Sequence, residues 1–215
     1  MTSVVFVPTV IRGVNDHELG DILKVAAHNM DIVRGVNFQP VSLVGMMRKY
    51  EREQYRITIP NVIKAIEEQT NGEIDKNSWF PVGAAVPIAK FLEFLSPSKR
   101  VEFTCHPACG VATYIYVERK DGDFRFTPIT KFIDAEKLLD YLEKKVESLS
   151  DKPRYIAKLN SYTAIFNILN KFVIWNKVPS EIKHELRSIL LEIFFKRNYH
   201  ALGKFHYKFL FVGMM

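Results

Sequence analysis

Cysteine is almost missing. Cys105 and Cys109 are the two in 215 residues, too few for the disulfide framework of a small secreted domain. No stretch approaches the roughly 20 uninterrupted apolar residues of a membrane span. Met1-Thr2-Ser3 brings no basic region ahead of Val4-Val5-Phe6-Val7, which stops at Pro8, so the start does not read as a secretory signal. No Gly-x4-Gly-Lys-Ser/Thr, His-Glu-x2-His or Gly-x-Ser-x-Gly occurs, which sets aside P-loop NTPases, zincins and α/β-hydrolases. Internal repeats and low-complexity segments are absent too. Charge is nearly balanced, 30 Lys+Arg against 24 Asp+Glu for a net +6, which permits contact with nucleic acid or an anionic membrane without arguing for either. What is left, 47% hydrophobic and 25% charged, is an ordinary globular balance, and a cytoplasmic, reducing location is the expectation.

The clearest architecture lies near the start. Residues 3–11, Ser-Val-Val-Phe-Val-Pro-Thr-Val-Ile, are a β-branched run of the kind buried on both faces of a sheet. Gly13 can turn the chain, Asn15 with Glu18 suggests a helix N-cap, and Leu19, Ile22, Leu23 and Ala26 give residues 16–29 one apolar face. A second strand is expected over 31–38, ending in Gln39-Pro40. Strand, helix and strand in this order form a βαβ unit and imply parallel pairing, hence an α/β fold.

Further on, Thr58-Ile59-Pro60 opens a helix that Asn71-Gly72 stops. Residues 74–87 are loop-like, and 87–95 are a short helix. A strand over 111–118 meets a return strand at 124–126 through the hairpin signal Asp121-Gly122. Asp134 caps a helix over 135–149, and helices over 160–175 and 180–198 follow, the last with Ile182, Leu186, Ile189, Ile193 and Phe194 at helical spacing. The basic and aromatic mixture at 194–209 can touch phosphates, or form an amphipathic helix leading into a core strand. The chain grows more apolar up to Gly213-Met214-Met215, as though interrupted inside a buried element, and its first strand needs neighbours on both sides. Both ends therefore suggest a piece of something longer.

Three clusters can carry chemistry. Cys105-His106-Pro107-Ala108-Cys109-Gly110 places two thiols four positions apart around a proline turn, and thiolate sulfur suits iron or zinc. Two cysteines cannot complete a four-thiolate site, so the alternative is a pair of structural cysteines. Arg12-Gly13-Val14-Asn15-Asp16-His17-Glu18 follows a strand end, where α/β folds bind ligands, although a turn, a cap and solvated charges explain it as well. In Gly35-Val36-Asn37-Phe38-Gln39-Pro40, the amides Asn37 and Gln39 share one strand face and must either find partners or bind something. His17, His28, His184, His200 and His206 form no metal spacing.

Together these segments resemble a known family. Val10-Ile11-Arg12-Gly13-Val14-Asn15-Asp16-His17-Glu18 and Asn37-Phe38-Gln39-Pro40-Val41-Ser42 resemble the fifth and sixth strands of radical S-adenosylmethionine (radical SAM) enzymes, close to the molybdenum-cofactor GTP cyclase branch. Thr58-Ile59-Pro60, Phe103-Thr104-Cys105-His106-Pro107-x-Cys109-Gly110-x2-Thr113-Tyr114 and the segment from His206 to Met215 look like the archaeal group that includes tetraether lipid synthase. The resemblance implies the C-terminal part of a partial (β/α)6 barrel and a mixed α+β auxiliary-cluster region. The divisions would fall at 1–50 for the last βαβ unit, 51–130 for a linker and the cysteine region, and 131–215 for a mainly helical end. It implies a 4Fe–4S cluster whose open iron holds S-adenosylmethionine, and a 5′-deoxyadenosyl radical that joins isoprenoid chains through C–C bonds. Carried over, Cys105 and Cys109 become auxiliary-cluster ligands, and Gln39, with Asn37, Phe38 and Pro40 beside it, contacts S-adenosylmethionine through the backbone.

The Cys-x3-Cys-x2-Cys loop that holds the radical-generating cluster is absent, so no residue of this chain is expected to be catalytic by itself. The implied partners are a missing N-terminal half or split-gene counterpart, an electron donor and an isoprenoid lipid; nucleic acid is not expected. The inner membrane face becomes a second candidate location. The competing expectation is a non-catalytic relic or binding module that holds a partner protein or a lipid.

Overall fold

The computed structural model describes residues 3–95, 99, 102, 105–106, 108–184 and 208–215. Its centre is a seven-stranded mixed sheet in the order β1-β3-β7-β5-β4, with β2 beside β3 and β6 beside β5. The strands are β1 (Val4–Phe6), β2 (Thr9–Val10), β3 (Val33–Pro40), β4 (Phe80–Pro81), β5 (Val111–Lys120), β6 (Asp123–Pro128) and β7 (Phe209–Met214). β1 and β3 run parallel, as the βαβ reading expects. β7, from the far end of the chain, lies between β3 and β5, parallel to the first and antiparallel to the second.

The expected first strand divides at Val7-Pro8 into β1 and β2, since a proline cannot donate to the ladder. It is also not buried on both faces. Val4 and Val5 are 40% and 49% exposed, and among the described residues β1 pairs with β3 alone. A β-branched run fits an edge strand as well as a central one. The helix after it, α1 (Leu19–His28), starts later than Asn15. Asn15 does not cap it. Its Oδ1 accepts from Ile11 N–H at 2.9 Å and its Nδ2 donates to Thr9 O at 2.9 Å, which ties the turn back to β2.

The helix α3 (Ile59–Gln69) keeps the expected bounds. Asn61 Oδ1 accepts from Thr58 N–H and from Thr58 Oγ1 at its start, and Asn71 and Gly72 both take positive φ after its end. A short α2 (Lys49–Tyr55) precedes it, with no buried residue. α1 and α3 approach closely at Gly20, where a Cβ would stand 3.0 Å from Gln69 Cβ and Gln69 O. Gln69 joins the two helices, accepting from Gly20 N–H at 2.8 Å and donating to Asp16 O at 2.7 Å. Both helices cover one face of the sheet, where Leu19, Leu23, Val62 and Ile66 pack with Val36, Phe38, Ile115, Leu210, Val212 and Met214 in a core with essentially no exposure.

On the other side stand α4 (Ala85–Leu95), α5 (Ala135–Ser150) and α6 (Arg154–Lys171), with a core of their own around Phe91, Leu95, Leu142 and Leu149. Asp134 caps α5 by accepting from Lys137 N–H. α6 begins six residues ahead of the expected 160, because Pro153 followed by Arg154 suits a helix start. A third cluster, Tyr116, Phe132, Val178, Ile182 and Phe209, closes one end of this side, where Tyr116 donates its hydroxyl to Glu181 at 3.0 Å. The expected helix over 180–198 is described to residue 184; Leu186, Ile189, Ile193, Phe194, His200, His206 and the basic mixture up to 207 lie outside the described residues. Among the described residues no helix is long and apolar enough to cross a membrane.

Candidate functional site

Because side chains alternate along a strand, the residues opposite the packed core form a second surface. It carries Gly35, Asn37 and Gln39 from β3, Phe211 and Gly213 from β7, and Ala112 and Tyr114 from β5; Gly35 is opposite Phe211, Asn37 opposite Gly213, and Ala112 and Tyr114 flank Gly213 and Phe211. Between this surface and α4 and α5 lies a cavity of about 440 Å³, walled by Phe80, Ile88, Ile133, Leu138 and Met215 and floored by Gly213 and Ala112. Its lining is almost wholly apolar.

On this sheet face two positions lack side chains, and one of them, Gly213, opens the cavity floor. At Gly213 a Cβ would meet the Phe211 ring at 3.1 Å and Asn37 Oδ1 at 3.2 Å. At Gly35 a Cβ would meet Phe211 O at 2.9 Å. The Phe211 ring therefore lies along its own strand and meets the Tyr114 ring edge-on, centroids 5.5 Å apart at 62°, a favourable aromatic geometry. Burial pushes the Tyr114 phenol above its ordinary value, so its hydroxyl stays protonated at neutral pH.

Asn37 is 8% exposed, and among the described residues its Oδ1 has no hydrogen-bond partner. Buried acceptors of this kind are few in folded proteins. This one sits beside Gly213, its partner in the ladder, while Asn37 itself does not line the cavity. Gln39 shares its face but is half-buried, with its backbone N–H given to Pro8 O at 2.9 Å. Phe38 points the other way and is fully buried in the core, so it can offer a ligand backbone only. Pro40 is half-buried at the strand end, opposite Val10. Two further orphaned groups, Thr113 Oγ1 and Trp79 Nε1, belong to the packed side.

The cysteine loop sits at the rim of the same cavity. A Cβ at Gly110 would lie 3.1 Å from Cys105 Sγ, 3.0 Å from Met215 Cγ and 3.2 Å from Val82 Cγ2, and Met215 and Val82 line the cavity. Cys105 is half-buried and Cys109 exposed, both as free thiols. His106 organises the turn between them: its carbonyl accepts from Cys109 N–H at 2.7 Å and its Nδ1 accepts from Ala108 N–H at 3.2 Å. An imidazole nitrogen so engaged by the backbone holds the loop. Phe103, Thr104 and Pro107 lie outside the described residues. Among the described residues no three His, Cys, Asp or Glu side chains gather into a metal site. Thiol sulfur is a soft donor of the kind that iron and zinc accept.

The cavity walls escaped the sequence reading, which treated Gly213-Met214-Met215 as the mark of an interrupted element. A glycine inside an apolar strand was the available signal, since it marks a close approach. The Arg12–Glu18 turn stands apart from the cavity: Gly13 N–H donates to Asp16 Oδ1 at 2.9 Å, and its charged residues face solvent.

Fold and site define a mixed α/β protein with an apolar, aromatic-walled cavity, one orphaned amide oxygen beside its Gly213 floor and a loop with two thiols at its rim. Matched against known proteins, the chain is 38% identical over 213 residues to the 7,8-dihydro-6-hydroxymethylpterin dimethyltransferase of Methanocaldococcus jannaschii, covering 99% of this chain and 41% of that relative. It thus spans less than half of the relative's length. No family model matches. This finding corrects two expectations. The likeness to the tetraether lipid synthase group does not hold, and neither does C–C coupling of isoprenoid chains: the relative is named for moving methyl groups onto a pterin. A likeness of strand and loop motifs speaks for the scaffold and carries no information about the substrate.

Proposed function

We propose that this chain is part of a larger S-adenosylmethionine-dependent radical enzyme that methylates a reduced pterin. The observation that carries the reading is the 38% identity to a pterin dimethyltransferase, sustained over 99% of the chain. In this reading the parallel β1-α1-β3 unit within residues 1–50 is the last portion of a partial barrel. Residues 51–130 bring the cysteine loop to it, and the mainly helical 131–215 closes over the sheet. The end of β3 at Gln39, with Asn37, Phe38 and Pro40 beside it, contacts S-adenosylmethionine. Cys105 and Cys109 supply two ligands of a 4Fe–4S cluster, and the remaining ligands come from the rest of the longer protein. The cluster supplies electron transfer when bound. This chain's part is to fix two thiolates at the rim of a water-poor cavity. An electron donor and the longer protein's other segments are the partners.

The test expresses the longer protein in a host that makes reduced pterins and follows methylated pterins by mass spectrometry. The expected result is a pterin heavier by one or two methyl groups, lost in Cys105→Ala and Cys109→Ala variants that remain folded. A host whose pterin pool is unchanged by the wild-type protein overturns the reading. The 215-residue chain alone forms no 5′-deoxyadenosine, and its formation by the pure chain would contradict the assignment of the radical-generating cluster to other segments.

A further inference from the structure

We infer that the solvent-facing side of α6 is a docking face for another helix of the longer protein, an amphipathic one whose apolar stripe is flanked by carboxylates. It rests on the reading above only in that this chain is part of a longer protein, and not on the pterin. Three observations carry it.

The first is the spacing along α6. Tyr155, Leu159, Tyr162, Phe166 and Leu169 follow one another at steps of four, three, four and three. That is the period of a seam along which one helix packs on another. The other side of α6 keeps the same rhythm in Ala157, Ser161, Ala164 and Ile168, and that seam is already in use. Ala157 and Ala164 are buried with Phe91 and Leu95 of α4 and with Leu142 and Leu149 of α5. Ser161 is buried too, its hydroxyl given to Ala157 O at 2.8 Å. With about 3.6 residues per turn the two seams fall on nearly opposite sides. A helix apolar on both sides is one that its protein buries.

The second is exposure. On the outer seam Tyr155 is 75%, Leu159 66% and Phe166 61% exposed. Single apolar side chains on a surface need no explanation, but a collinear set of large ones marks an interaction site. Exposed Asn167 and Asn170 border it. The charges of α6 are all of one sign, Arg154, Lys158 and Lys171, with no carboxylate in the helix. An apolar centre with a polar rim is the anatomy of an interface, and cations beside such a seam select a partner helix that brings carboxylates.

The third is what can sit there. The outer seam runs from Tyr155 to Leu169, short of the roughly three to four heptads that sustain a coiled coil. Its side chains are also far fewer than the roughly 20–30 residues a side of a standard interface between separate proteins. A second copy of the chain is therefore a poor occupant. A segment of the same polypeptide needs much less contact, because its tether supplies a high effective concentration. The relative has such segments: this chain covers 41% of it, so more than half of its length lies outside the match. One further helix beside α4, α5 and α6 completes a bundle.

The experiment places the photo-cross-linker p-benzoylphenylalanine at position 159 or 166 of the longer protein and maps the irradiated product by mass spectrometry. The expected cross-link lies within one polypeptide and reaches a residue outside the 215 of this chain. A second arm combines Leu159→Asp with Phe166→Asp. Both side chains are exposed here, so the 215-residue chain carrying them is expected to melt as wild type does, whereas the longer protein is expected to melt lower. Equal melts in both lengths overturn the inference. So does the absence of a cross-link from both positions, or a cross-link to another part of this chain. A cross-link between light and heavy isotope-labelled copies overturns it in favour of self-association, and binding to phosphatidylserine vesicles that the Asp variant loses does so in favour of a membrane surface. The two readings fail separately. The expected cross-link in a protein that leaves its host's pterins unchanged keeps the docking face and removes the proposed reaction. Methylated pterin from a protein without the cross-link keeps the reaction and removes the docking face.

Discussion

The two faces of the central sheet are built from alternate residues of the same strands, yet they are furnished for opposite purposes. On the helix-packed face, β3 contributes Val36 and Phe38 and β7 contributes Leu210, Val212 and Met214, all with zero exposure. On the other face the same two strands contribute Gly35 and Asn37, and Phe211 and Gly213. One face is filled to the density of a protein interior. The other has its floor cleared by glycine and keeps a polar atom unpaired. Dense packing thus lies on one side of β3 and β7 and open volume on the other, and the period-2 alternation of a strand separates them.

The largest effect that sharpens this contrast is on the packed face. Phe38→Ala removes a fully buried ring from the main core and is expected to cost about 3–5 kcal/mol, read as a lower midpoint in urea unfolding. A loss under about 1 kcal/mol would mean that α1 and α3 do not close tightly on the sheet. Glycine substitutions on the open face come next. Gly35→Ala sets a Cβ 2.9 Å from a backbone oxygen, Phe211 O, whereas Gly213→Ala meets the edge of a ring that can rotate away. The first is expected to destabilise by about 1–3 kcal/mol and the second by clearly less. Equal costs in thermal melts would show that the Phe211 ring is locked as firmly as the backbone.

A smaller effect concerns how the faces are joined at one end. Burial raises the Asp75 carboxyl, but bonds from Lys131, Ser78 and the Asn77 N–H outweigh it and leave it below the ordinary 3.8. A carboxyl whose folded value is depressed adds stability that is fully present above its unfolded value and is lost as pH falls through the folded one. The Lys131 partner is 43% exposed, so solvent screening limits the gain to about 0.5–1 kcal/mol. Unfolding midpoints of wild type and Asp75→Asn should therefore differ at neutral pH and converge below pH 3.8. A gap that persists in acid would assign the effect to packing.

Local chemistry was legible where a few residues decide the outcome. Asp121 and Gly122 both take positive φ, as a two-residue hairpin turn requires. Thr58 and Asn71-Gly72 bound α3, and Asp134 caps α5. The alternation of Asn37 and Gln39 against Val36 and Phe38 placed both amides on one face before any partner strand was known. What could not be read was adjacency. β7 is separated from β3 by most of the chain, and nothing in its residues says that it enters between β3 and β5, the pairing that creates the floor. The exposed β1 was misjudged for a related reason, since burial of a strand depends on neighbours that its own sequence does not encode. Substrate class was the least accessible, because it is decided by the few atoms lining a cavity that strands and helices distant in sequence assemble.

The last effect, whose expected sign is opposite to the others, carries the most information. Buried polar groups without partners cost stability, and an apolar residue of similar shape in their place is neutral or stabilising. Asn37→Leu is therefore expected to leave the melting temperature unchanged or raise it, with a gain of up to about 1–2 kcal/mol of stability. Ordinary structural asparagines behave in the opposite way, because removing them strands the groups they bonded. A stabilised Asn37→Leu protein would show that the open face keeps an unpaired acceptor at the expense of stability. A destabilised one would mean that Asn37 already has a partner in solution, and the two faces would then differ in packing density alone.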